Sequence, residues 1–174
     1  MTNPGLLRAA GLALRRAAAA DLAPLLALQR AAYAKNRPLL GVEPLPLLAD
    51  YAVVMRDMEV WVSETDGRLL GALIIEPRAD DLLIWSIAAD PVAQRSGLGR
   101  SLLAAAEERA RQLGRDVIRL YTGTPLGHLV AWYGRHGFAV ERIETLSDRS
   151  ITHMIKHLGC VHGEKNHASK EQRT

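Results

Sequence analysis

Cysteine is nearly absent. Cys160 stands alone among 174 residues, so no internal disulfide braces the chain, and this usage fits a reducing compartment. Long apolar runs are missing as well. The Ala- and Leu-rich stretch 6–20 is broken by Arg8, Arg15 and Arg16, which excludes a membrane span or the apolar core of a targeting signal there. Neither sign of charge dominates: 22 Lys and Arg against 19 Asp and Glu give a net charge of +3, with an isoelectric point of about 9.3. The basic residues are scattered and the three tryptophans fall within strand or helix patterns, so the basic-aromatic stripe of a nucleic-acid binder is lacking. His157, Cys160, His162 and His167 match no zinc spacing. No membrane, nucleic-acid or metal partner is expected, and the expected location is cytoplasmic.

What remains is a chain whose length suits one domain and whose 48% hydrophobic content can fill a core. The domain is expected over residues 1–158. Residues 159–174 are polar and aperiodic, and read as a disordered tail.

Local patterns divide the domain further. Leu12–Arg16 reads as a first strand, and Asp21 as the cap of a helix that ends before Pro38. Three prolines and a glycine make 37–46 a loop, followed by a short helix over 47–55. Residues 59–64 and 69–75 form a hairpin about Asp66-Gly67, and 82–88 returns as a third antiparallel strand. A helix over 102–113 carries a Glu107–Arg111 pair and stops at Gly114. Then come a strand over 117–121, a helix over 125–135, and two strands over 138–146 and 151–155 around a turn at 147–149.

The chemistry points to the junction between the third strand and the long helix, Gln94-Arg95-Ser96-Gly97-Leu98-Gly99-Arg100-Ser101. Glycines there let backbone amides approach an anion, and the helix behind them contributes unpaired N–H groups and its positive end. A Walker A loop would place Lys and then Ser or Thr after the second glycine, where Arg100 stands. A dinucleotide fingerprint would need Gly or Ala at Leu102 and an acidic residue closing the next strand, which ends on Tyr121. The loop therefore fits a different phosphorylated cofactor.

The remaining pattern, Gln/Arg-x-x-Gly-x-Gly/Ala, resembles the pyrophosphate loop of the GNAT N-acetyltransferase superfamily. Ile87-Ala88-Ala89-Asp90-Pro91 before it looks like the family's strand end. Trp132-Tyr133-Gly134-Arg135-His136-Gly137-Phe138 looks like its tyrosine-to-Gly-Phe element. The resemblance spans about residues 12–156 and is sharp over 82–138. It implies a single α/β (α+β) domain, with a mixed, mostly antiparallel sheet of six to seven strands and about four helices.

The resemblance also implies acetyl-CoA as co-substrate, and transfer of its acetyl group to a primary amine of a small molecule or a protein by direct attack in a ternary complex. Tyr133 would be the acid that meets the departing thiolate. The backbone of Ile87, Ala88 and Ala89 would pair with the pantetheine amides. Gln94, Arg95, Ser96, Gly97, Leu98, Gly99, Arg100 and Ser101 would wrap the pyrophosphate. A homodimer is expected on the same ground, and a catalytically degenerate acyl-CoA sensor is the alternative. Cys160 has no base beside it, which argues against an acyl-enzyme. The general base stays open among Glu43, Glu59, Glu76, His128 and His153. Residues 122–129 depart from a family segment that often carries a pantetheine-contacting asparagine.

Overall fold

A computed structural model describes residues 5–159. Most of the expected tail, with Cys160, His162 and His167, lies outside the described residues. The described residues begin with a hairpin, β1 (Leu6–Ala9) and β2 (Leu12–Arg16), where local alternation pointed to the second strand alone. Its turn is Ala10-Gly11, with φ of 48° and 78°. That two-residue turn matches strand twist, but alanine is a poor advertisement for it.

Helix α1 (Leu22–Tyr33) follows. Asp21 does not cap it through its side chain. Its carboxylate instead accepts the Ala18 amide at 2.7 Å and pairs with Arg15 at 2.7 and 2.9 Å. The stretch expected as loop contains two single-turn helices, α2 (Arg37–Leu40) and α3 (Leu45–Leu48). Pro38 and Pro46 occupy their first turns, where a missing N–H costs nothing and a fixed φ helps. Asp50 caps α4 (Tyr51–Asp57) by accepting the Ala52 amide at 2.9 Å, so the helix starts four residues later than expected.

Strands β3 (Glu59–Thr65), β4 (Arg68–Pro77) and β5 (Leu82–Ala89) form the expected meander. Asp66 and Gly67, at φ 51° and 75°, make its first turn. Helix α5 (Leu98–Gln112) then crosses to β6 (Val117–Gly123), and α6 (Gly127–Arg135) leads to β7 (Ala139–Thr145) and β8 (Ser150–His157). The sheet has eight strands in the order β1-β2-β3-β4-β5-β6-β8-β7. Among the described strands only the neighbours β5 and β6 run parallel.

Alternation along the strands feeds two cores. Trp61, Leu73 and Ile75 pack with Leu102, Ala106 and Phe138 on the α5 face. Val60, Val62, Ala72 and Ile74 pack with Leu25, Leu28 and Val54 on the α1 and α4 face. Helix α5 begins four residues earlier than its apolar stripe suggests, because Leu98 also packs against the first core. It lies close to β4 at Gly71, where a Cβ would come within 2.9 Å of Ser63 Oγ, 3.2 Å of Leu98 and 3.3 Å of Leu102.

Candidate active site

The site originates in a break between β5 and β6. Their parallel pairing covers Leu82, Ile84 and their partners Ile118 and Leu120, and stops there. Beyond it, β5 still pairs with β4 through Ser86, Ile87, Ala88 and Ala89, while its other edge faces no strand. At this point Trp85 is an extra residue, because Ile74 pairs with Ser86 and Ile75 with Ile84. Such a bulge bends a strand and resets its alternation. Leu82 and Ile84 face the α5 core, as does Ile87 after the bulge, whereas Trp85 and Ala88 face the other side.

The gap opens into a cavity of about 490 Å³, within the usual size of a ligand site. At one end lies the loop before α5. Asp90 organises that loop. Its carboxylate accepts the Val92 amide at 2.9 Å and Arg68 at 2.7 Å, and its carbonyl accepts the amides of Ala93 and Gln94. The Val92 amide and then the Arg68 guanidinium hold the Asp90 carboxyl below its ordinary range. Gln94 Nε2 donates back to the Ala89 carbonyl at 3.1 Å, and Lys35 donates to Gln94 Oε1 at 2.5 Å.

Left-handed conformations at Arg95 (φ 70°) and Gly97 (φ 87°) curl the backbone into α5. Conformations of this kind gather successive N–H groups around an anion. At Arg95 the conformation is one that non-glycine residues seldom adopt, and such residues concentrate at functional sites. The amides of Gln94, Ser96 and Ser101 are satisfied by Asp90, Ala93 and Gly97 respectively. The amides of Arg95, Gly97, Leu98, Gly99 and Arg100 have no acceptor among the described residues. Five of the eight amides over 94–101 are therefore free of an internal acceptor among the described residues.

The structure distributes the sequence-derived site residues unevenly. Ile87, Ala89, Gln94, Arg95, Gly97, Gly99, Arg100 and Tyr133 line the cavity. Ser96, Ser101 and the side chains of Leu98 and Ala88 do not; Leu98 and Ala88 face the two cores.

Tyr133 stands on α6 between Trp132 and Phe138, with ring centroids 4.9 and 5.8 Å away. Its hydroxyl has no hydrogen-bond partner among the described residues, and burial pushes the phenol above its ordinary range. Across the gap, Ser86 Oγ donates to Gln29 Oε1 at 3.1 Å and lies 3.1 Å from the Tyr33 hydroxyl. Tyr33 had no local signal, since its partner Ser86 lies 53 residues away in the sequence.

Of the five open candidates for the base, His128 alone lines the cavity. Glu59 is held by Arg109 at 2.7 and 2.8 Å and by Trp61 at 3.0 Å. His153 pairs with Glu144 at 2.8 Å and Glu43 with Arg37 at 2.5 Å. No Asp or Glu lines the cavity among the described residues. No group of three or more metal-capable side chains occurs among those residues, and none of their helices is long and apolar enough to cross a membrane.

The model of the Acetyltransferase (GNAT) family matches residues 25–138. An uncharacterized N-acetyltransferase of Bacillus subtilis (strain 168), YvbK, is 31% identical over 72 residues, covering 41% of this chain and 46% of that protein. The match thus spans less than half of that relative. The PaiA N-acetyltransferase from Thermoplasma acidophilum, in complex with coenzyme A, gives a TM-score of 0.66 at 20% identity, over 83% of this chain and 97% of that one. The ribosomal-protein-S18-alanine N-acetyltransferase from Escherichia coli gives 0.68 at 18% identity, over 87% and 96%. At these identities the likeness carries the fold.

Proposed function

Given that the chain belongs to the acetyltransferase (GNAT) family, we propose that it transfers an acetyl group from acetyl-CoA to a primary amine of a small molecule or protein by direct attack. The observation that carries this reading is the set of amides without acceptors at the α5 N-terminus, opening onto the unpaired edge of β5 in one cavity. The donor set suits coenzyme A. Amides of Arg95, Gly97, Leu98, Gly99 and Arg100 would hold the pyrophosphate with the helix dipole behind them, and the Arg95 and Arg100 side chains would add charge. The main chain of Ile87, Ala88 and Ala89 would pair with the pantetheine amides as an added strand.

When bound, acetyl-CoA supplies the thioester carbon that the amine attacks. Holding amine and thioester together in attack geometry is worth roughly 7–11 kcal/mol. Tyr133 keeps its proton on Oη and offers it to the sulfur as the C–S bond breaks. His128 takes the proton that the amine loses. An imidazole is the one side-chain type in this cavity that accepts a proton near neutrality. The other titratable groups there are three tyrosines and four cations, Lys35, Arg95, Arg100 and Arg149.

The test is a panel of amines with acetyl-CoA, read by release of free thiol, beside a thermal-shift titration with CoA. Stabilisation by CoA together with thiol release is the expected result. Stabilisation without release on any amine would leave a binding module in place of an enzyme, and no stabilisation would remove the cofactor assignment.

A further inference from the structure

The half of the cavity away from the phosphate loop has a composition that selects among amines, and the selection rests on the acetyl-transfer reading above. Its wall is apolar: Leu40, Val42, Leu45, Pro46, Leu126 and Ile151. The one ionised side chain on that wall is already occupied. Arg149 donates to Asp148 at 2.6 and 3.1 Å and to the Glu43 carbonyl at 3.0 Å, so it straps the β7–β8 turn to the segment between α2 and α3. With no carboxylate lining the cavity among the described residues, a second ammonium on an acceptor would lose its hydration and find no counter-charge. A carboxylate on the acceptor would find the nearest guanidinium already engaged.

Two polar groups on this side have an oxygen able to accept an N–H. Asn36 is only 6% exposed, and its side-chain oxygen has no hydrogen-bond partner among the described residues although the residue lines the cavity. Its backbone is fully employed: the N–H donates to the Tyr33 carbonyl at 2.9 Å, and the carbonyl accepts from Leu39 and Leu40 at 3.1 and 3.0 Å. The side chain is therefore spare, and a buried unpaired oxygen is costly until a donor arrives. Tyr33 has a spare lone pair of its own. Either hydroxyl can donate in the Tyr33–Ser86 contact, and in either direction the phenol oxygen keeps a lone pair for an incoming N–H.

We infer that the acceptor is a primary amine on an apolar body without a second charge, its nitrogen received by Asn36 Oδ1 and Tyr33 Oη. Wild-type protein with 2-phenylethylamine, spermidine and β-alanine as acceptors tests this directly. The expected kcat/KM for 2-phenylethylamine exceeds the other two by about 100-fold; equal or reversed preference overturns the inference. Lack of turnover on all three, with CoA binding retained in calorimetry, also overturns it and leaves the cofactor reading intact. Failure to bind CoA defeats that reading itself. Asn36→Leu should raise KM for 2-phenylethylamine about tenfold with CoA affinity unchanged, and Asn36→Asp should move preference toward spermidine. If Asn36→Leu does not fold, Tyr33→Phe supplies the same KM comparison with the ring retained. Unchanged amine KM in a folded variant overturns the assignment.

Discussion

Burial raises the Tyr133 phenol above its ordinary range, so at working pH it stays protonated and is available as a donor to a developing thiolate. Tyr133→Phe removes that donor and keeps the ring contacts with Trp132 and Phe138. Turnover should fall about 100-fold while the CoA dissociation constant stays near the wild-type value; steady-state kinetics beside calorimetry check this, and equal losses in both would assign the residue to binding. In the proposed reaction His128 would act at the opposite step. As a base it must reach the attacking amine with a free ring nitrogen. His128→Gln should lower kcat about 100-fold with the CoA dissociation constant near the wild-type value, and unchanged turnover in the folded variant would remove His128 from the reaction. Local sequence could offer His128 only as one of five, because what distinguishes it is which side chains reach a common cavity.

Elements explain why the cavity exists at all. The bulge at Trp85 falls where β5 and β6 cease to pair, and α5 sets its free N-terminal amides at the end of the opened gap. The position of that helix depends on Gly71, since β4 and α5 meet there without room for a methyl group. Gly71→Ala should destabilise the fold by about 1–3 kcal/mol and weaken CoA binding by displacing the helix terminus; denaturant midpoints and calorimetry measure the two effects. A variant as stable and as tight-binding as wild type would contradict the close approach. The elements were unequally legible in the sequence. Asp66-Gly67 and the Leu102–Ala106–Ala110 stripe announce a hairpin and a helix through local chemistry. Ala10-Gly11 hides its turn behind an alanine, Pro38 and Pro46 start helical turns where prolines read as loop, and no residue at 85 signals a bulge.

At the scale of the whole molecule, all four tyrosines, Tyr33, Tyr51, Tyr121 and Tyr133, have phenols raised by burial, Tyr121 to about 12. In the unfolded chain they ionise near 10. Between those values the unfolded state has released protons that the native state retains, so this stability is complete below about pH 10 and is lost as pH rises toward and past the native values. Denaturant midpoints should therefore drop steeply above about pH 10, and phenolate absorbance should appear together with unfolding. Phenolate forming near pH 10 in a folded protein would contradict their burial. Sequence alone determined what neighbouring residues can decide: a single α/β chain, the meander, the long helix, and the glycine-bearing loop whose amides suit a diphosphate. Tertiary structure alone decided the placement of β8 between β6 and β7, the gap beside β5, and the meeting of Tyr33, Asn36, His128 and Tyr133 around one cavity. The reason is range. Turn and helix preferences are energies of adjacent residues, whereas a cavity wall is set by strands and helices that are close only once the chain has folded.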